Sequence, residues 1–261
     1  MAGDDGFAVL RAELDRWSES GRTATLWWRD DDAVADSAAL QRLLDLADAH
    51  AVPLWLAVIP AALEDSLPAA LAARRALGVL QHGIAHLDHA LPGERKCELG
   101  AAWQWDVLRA ALQGGRARLA AAFGQRFRPV LVPPWNRLHP GWIPRLPEAG
   151  LIGLSTLGPR RVQPGLAVVN VHADLIDWRS RQYAGDAALA AALARHLAAR
   201  RRGEADAQEP SGIMSHHRVH DAAIWDGAAR LLALLAAHPA AAWHDPATLW
   251  HAAVAEGAPP C

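Results

Sequence analysis

Three histidines, His82, His86 and His89, close the apolar run in "VLQHGIAHLDHA" (79–90). His82 and His86 are spaced i, i+4, which on a helical turn sets two imidazoles on one side. Such a pair suits a divalent transition metal. It is not the HExxH of metalloproteases, because Gly83 stands where the glutamate would be. A base and a third ligand must come from elsewhere, and "RDDDA" (29–33) offers both. Three adjacent aspartates at the end of an apolar strand are costly unless they meet a cation or counter-charges. One completes a metal triad, and a neighbour serves as general base on water activated by the metal. The competing use is an acidic helix cap, although Asp36 or Ser37 already offers that cap. "GIMSHH" (212–217) adds a general acid. There a protonated histidine facing the metal donates to a leaving amine. Alone, each fragment also reads as structure: a solvated HxxxH, an acidic turn, a hydrogen-bonded imidazole. Together they point to metal-assisted hydrolysis. His89 fits a supporting or surface role.

Most of the 12 tryptophans must be packing, and Trp103, Trp105, Trp225 and Trp250 are assigned there. Trp135 and Trp178 follow apolar runs and could wall a sugar site through ring stacking.

The elements that must position these residues are legible as short apolar runs bounded by Pro, Gly or charge, the pattern of buried strands. They cover 23–28, 52–59, 77–80, 128–132, 150–155, 166–171, 211–215 and 240–243. Amphipathic helical patterns fill most intervals, at 38–49, 104–123, 186–202 and 221–237, with another helix before Thr23. The connections after 155 and 171 show no clear long helix. Alternating strands and helices imply a mainly parallel sheet. The expected fold is α/β: a single (β/α) barrel domain over 1–261, a distorted parallel barrel of seven or eight strands. A doubly wound open sheet is the runner-up.

In such a fold the residues after each run share the C-terminal end of the sheet, where active sites are built. Those residues are Arg29 to Asp32, His82 and His86, Pro133 to Asn136, His172 with Asp174, Asp177 and Trp178, and His216 and His217.

Composition bounds the partners. A formal net charge of −2 gives no electrostatic case for nucleic acid or an anionic membrane. No run of about 18 apolar residues exists to span a bilayer. Two cysteines, Cys97 and Cys261, give neither a disulfide framework nor a CxxC zinc pattern. The acidic start lacks the apolar core of a signal peptide. A soluble, cytoplasmic protein acting on a small molecule or oligosaccharide is the expectation. Nothing in the sequence specifies an oligomeric state.

Taken in order, the motifs resemble the polysaccharide deacetylase family, carbohydrate esterase family 4, over about residues 23–220. The resemblance implies a distorted (β/α) barrel that removes acetyl groups from N-acetylated sugars with a divalent metal. Zn2+ is the first expectation, and Co2+, Ni2+ or Fe2+ also suit two His and one Asp. "RDDDA" matches the first motif, which makes Asp31 the base and Asp32 a metal ligand. Asp30 with Asp31 is the second register. "HGIAH" matches the second motif, with His82 and His86 as ligands and Gly83 in place of the usual Ser or Thr. "VPPWN" matches the third, whose Trp135 walls the acetyl pocket. Val132 replaces that motif's leading arginine, which positions the catalytic aspartate in the family; Arg29 and Arg137 are the candidates to substitute. "DLIDW" resembles the fourth through the substrate-binding Asp177 and Trp178. "IMSHH" resembles the fifth, with His216 as acid and His217 as the alternate. The alternative to an enzyme is an inactive relative that binds a carbohydrate or metabolite in the same cleft.

Overall fold

Strand β1 (Ala24–Ala33) is buried along nearly its whole length, so it must lie in the middle of a sheet covered on both faces. In the computed structural model, which describes residues 5–246 and 248–250, it does. It pairs in parallel with β2 (Leu54–Val58) on one side and β10 (Ser211–Ser215) on the other. Beyond β2 come β3 (Leu77–His82), β4 (Phe127–Val132), β5 (Gly153–Leu154) and β6 (Ala167–Val168). Beyond β10 lies β7 (Ala173–Asp174), and a short β11 (Ala241–Trp243) pairs with the start of β1. All these pairings are parallel. From β1 to β6 each strand lies beside the next without reversal. A doubly wound sheet reverses direction at a switch point, so the fold is a distorted (β/α) barrel with eight strands along its wall. Among the described residues no ladder joins β6 to β7.

Helices α1 (Ala8–Glu19), α2 (Ala38–Ala49), α3 (Ser66–Leu71), α4 (Trp105–Phe123), α5 (Asp186–Arg202) and α6 (Ala222–Ala237) surround the sheet. The cap of α2 is Ser37, not Asp36: its hydroxyl accepts the Leu40 N–H at 3.1 Å. Leu40, Leu43, Leu44 and Ala47 form its buried stripe, as their spacing predicts. Inside the wall, tryptophans do the filling. Trp250 meets Trp27 and Trp55 edge to face, with centroids 5.8 and 5.9 Å apart. A Cβ on Gly78 would lie 2.3 Å from the Trp55 ring, so only glycine fits against it.

The apolar run 166–171 is not one strand. The chain pairs at β6, crosses, and pairs again at β7. This places His172 beside Gly212, at the start of β10, and so at the end of the barrel opposite the expected cleft. His172 therefore leaves the set of strand-end residues. It stacks on His196 with centroids 3.3 Å apart, and both rings face the buried Glu209. The Gly212 N–H donates to His172 Nδ1 at 2.9 Å. In the neutral ring the proton then sits on Nε2, 3.7 Å from Glu209, so that nitrogen has no lone pair to offer a metal. Burial pushes His172 down to about 4. Burial alone would raise Glu209, but His172 and His196 hold it down at about 2.

Both shifts have the same sign for stability. The His172 contribution is complete above its ordinary value of 6.5 and is lost as pH falls towards 4. His172→Asn keeps an acceptor for Gly212 but does not titrate. Its melting temperature should fall less steeply than wild type between pH 6.5 and 4. Parallel profiles would show that His172 is not the titrating group.

Candidate active site

The pleat of β1 sorts its polar end. Residues two apart share a face, so Trp27, Arg29 and Asp31 turn into the barrel while Trp28 and Asp30 turn out. Asp30 is fully buried and engaged there: it accepts the Ser215 hydroxyl at 2.6 Å, the His217 N–H at 2.9 Å and the His217 ring. Burial alone would raise its carboxyl, but His217 draws it below the usual range. Asp30 and His217, the two alternates from the sequence, thus hold each other behind the cleft.

Asp32 turns into the cleft for a different reason. The pairing of β1 with β2 shifts register between Asp30 and Ala33, and Asp32 has φ 69°. Such a bulge re-aims a side chain, so consecutive aspartates 31 and 32 both reach one cavity. His82 ends β3. His86 follows on a loop, not a helical turn, with Gly83 at φ 58° and His86 at φ 58°. Trp135 and Asn136 also have positive φ, 56° and 54°. Left-handed non-glycine residues cost about 1–3 kcal/mol each and collect at functional sites.

The cleft of 840 Å3 brings together Asp31, Asp32, His82, His86, Trp135, Trp178 and His216. His82 Nε2 lies 3.1 Å and His86 Nε2 3.3 Å from Asp32 Oδ1. His82 Nδ1 lies 2.9 Å from the Val132 carbonyl, which can only accept. The lone pair of neutral His82 is therefore on Nε2, facing Asp32 and His86. Asp32 Oδ1 is buried and has no hydrogen-bond donor. Three electron-pair donors facing one another repel unless a proton or a cation lies between them, and a ring nitrogen anchored on a carbonyl is the usual support of a ligand histidine. Asp32, His82 and His86 thus fit a divalent metal.

Burial disfavours charge on Asp32, yet His82 and its neighbours hold it below the usual carboxylate range. Burial would lower His82, but Asp32 and Asp31 outweigh it and raise the ring. His86 is lowered, by burial and then by His82.

Asp31 is held by Arg29. Its carboxylate takes two parallel bonds, from Nε at 2.8 Å and Nη2 at 2.9 Å. Arg29 is fully buried and donates further to Ser155 Oγ at 2.7 Å and Asn136 Oδ1 at 2.8 Å. Of the two candidates to replace the arginine absent at Val132, Arg29 is the one on Asp31. Arg137 instead donates to the Lys96 carbonyl. His216 Nε2 is 4.0 Å from Asp31, and its buried Nδ1 is 3.9 Å from Asp174. Trp178 stands edge-on to His216 at 4.7 Å, and Trp135 lies 4.5 Å from the His86 ring.

Asp177 is not brought to the cleft. It is exposed and accepts the Arg179 N–H and the Ser180 hydroxyl in the turn of the β8 (Ile176–Asp177) and β9 (Gln182–Tyr183) hairpin. The other aspartate of "DLIDW", Asp174, takes its place, accepting Trp178 Nε1 at 2.7 Å. Burial raises the Asp174 carboxyl, with His216 only partly offsetting it. His89 packs on Trp103 outside the cleft, and Cys261 lies outside the described residues.

Sequence reasoning missed Glu98. Its buried carboxylate accepts the N–H groups of Ile84, Ala85 and Leu87 at 2.9, 2.7 and 3.3 Å. It thereby fixes the loop that carries His86. A Cβ on Gly83 would fall 2.0 Å from Glu98 Oε2 and 2.6 Å from Pro134 Cδ. The glycine is the space for this glutamate, and nothing in "KCELG" signals it. Gly83→Ser should weaken the affinity of the Asp32–His82–His86 trio for a divalent cation by at least about tenfold, the scale of outer-layer losses at metal sites. Calorimetric titration of the metal-stripped protein with zinc would read this, and unchanged affinity would refute it.

By sequence, the chain matches no family model and no curated protein. By structure it is similar to several solved proteins. One is a Mycobacterium smegmatis protein assigned as a polysaccharide deacetylase (16% identity, 92% of this chain and 93% of that one, TM-score 0.63). A second is a family 4 carbohydrate esterase from Streptomyces lividans in complex with acetate (15% identity, 82% and 88%, TM-score 0.54). A third is the T48 deacetylase with substrate (16% identity, 88% and 92%, TM-score 0.53). The chain therefore has the fold of the polysaccharide deacetylases, the family 4 carbohydrate esterases.

Proposed function

We propose that this protein is a metal-dependent amide hydrolase that removes the acetyl group from an N-acetylated sugar or sugar conjugate. The observation that carries the proposal is the convergence of the Asp32–His82–His86 trio, an arginine-clamped Asp31 and a cleft-facing His216 on one cavity. A fold by itself implies no activity; the reading rests on these side chains.

Asp32, His82 and His86 would hold the metal, which when bound polarises the acyl carbonyl and makes water a better nucleophile. Asp31, kept in place by Arg29, takes the proton of the attacking water as general base. His216, close to both Asp31 and Asp174, gives a proton to the departing nitrogen. Trp135 and Trp178 flank the trio and His216 and exclude water from the acetyl group. Of the fourth-motif pair, Asp174 fits the supporting role better than Asp177. Zinc is the first metal to try for this ligand set.

Asp31→Asn tests the roles. It should leave the metal in place and cut deacetylation of N-acetyl sugars by about a hundredfold or more. Full activity in this variant would reject Asp31 as the base. Metal binding and tight sugar binding without turnover in wild type would favour the binding-protein reading.

A further inference from the structure

The inner cleft uses up its own carboxylates. Asp31 is spent on Arg29, Asp32 faces the histidines, and Asp174 holds Trp178. The mouth is different. Arg95, Lys96, Arg137 and Arg181 line it, and among the described residues none of the four has a carboxylate within 4.0 Å. Elsewhere many arginines are paired, as Arg74, Arg160, Arg201 and Arg230 are. Lys96 is the only lysine of the whole chain.

Three of the four cations form one wall. Arg137 Nη1 donates to the Lys96 carbonyl at 3.0 Å, which ties the 95–96 loop to the turn bearing Trp135. Lys96 Nζ lies 5.8 Å from the Trp135 ring, and that ring lies 4.5 Å from His86. The cations thus stand one aromatic ring beyond the metal trio. Arg181 comes from the hairpin that carries Trp178. Asp88 is the acid that Arg137 and Lys96 feel, but its carboxylate already accepts the Ala90 and Cys97 N–H groups. Burial and the charge of Arg95 both push the Arg137 guanidinium down. Several like charges held together with one carboxylate nearby cost energy that a further anion relieves. A guanidinium fork and an ammonium are the groups that recognise phosphate and carboxylate.

We infer that the substrate is anionic: an N-acyl amino sugar bearing a phosphate or carboxylate about one ring's width from its acylated nitrogen. The inference rests on the deacetylase reading of the same cleft. In it, the trio and Trp135 take the acyl group while Lys96, Arg137, Arg95 and Arg181 take the anion.

The test compares N-acetylglucosamine, its 6-phosphate and N-acetylmuramic acid, on the zinc-loaded protein. The phosphate arm, the carboxylate arm or both should exceed the neutral sugar in kcat/KM by at least about tenfold, and the excess should shrink with salt. The pair Lys96→Gln with Arg137→Gln should abolish that preference. Arg95→Gln with Lys96→Gln, both exposed, serves if the first pair fails to fold. Equal rates for all three sugars, or a preference that survives both pairs, would overturn the inference. If no sugar is turned over, calorimetry decides. Binding of the anionic sugars that weakens at least about tenfold in the variants keeps the inference and rejects the hydrolase; no selective binding of anionic over neutral sugar overturns the inference itself.

Discussion

Arg29→Met will unfold far below wild type and, on the proposed function, will lose most of the hydrolytic activity. Arg29 is a fully buried cation whose guanidinium reaches Asp31, Ser155 and Asn136 at once. Removing one member of a buried ion pair leaves the other charge uncompensated, which costs about 3–5 kcal/mol. In a chain of this size that lowers the melting temperature by on the order of 10 °C. Activity falls for a separate reason. The two parallel bonds that fix Asp31 are gone, and a base misplaced by about an ångström costs on the order of a hundredfold. Arg29→Lys separates the two effects. It keeps a charge but cannot make the fork, so it should recover more stability than activity. The double variant Arg29→Met with Asp31→Leu removes both charges and should be more stable than Arg29→Met alone, while remaining inactive. Thermal melts and steady-state rates on wild type, Arg29→Met, Asp31→Leu and the double variant close the cycle, with Arg29→Lys read beside it. A wild-type melting temperature in Arg29→Met would show that the pair contributes nothing.

On the proposed reading, wild type retains a divalent metal through purification and His82→Ala does not. Its deacetylation rate should fall by more than about a hundredfold, since even outer-layer substitutions at metal sites cost 10- to 100-fold. The ring does two things. Its Nε2 is one of three donors facing the same point, and its Nδ1 is anchored on the Val132 carbonyl. Elemental analysis gives the first readout, and it is independent of any substrate. Thermal stability gives the second: zinc should raise the melting temperature of wild type, because a ligand that binds only the folded state stabilises it, and should leave His82→Ala unmoved. Stoichiometric zinc in the variant would remove His82 from the ligand set.

The sequence by itself determined the elements and the ingredients of the site. The stripe Leu40, Leu43, Leu44 and Ala47 is a local pattern, and α2 follows it residue for residue. Apolar runs bounded by breakers located the long strands for the same reason: burial on both faces demands unbroken hydrophobicity. The order of acidic, histidine and tryptophan motifs at strand ends also put Asp31, Asp32, His82, His86, Trp135 and His216 on one surface, because parallel strands share an end.

What only the tertiary structure decided are matters of direction and distance. Three consecutive aspartates are chemically equal in a sequence. The pleat sends Asp30 to His217 and Asp31 to Arg29, and a bulge sends Asp32 to the histidines. A two-residue strand such as β7 carries too little pattern to be read, so the sequence does not show that His172 sits at the opposite end of the barrel or that Asp174 is the aspartate bonded to Trp178. Arg29 and Glu98 act across the fold, through Asn136 and Ser155 in one case and the 84–87 loop in the other. Those pairings are set by packing between elements distant in sequence, and no local spacing encodes them.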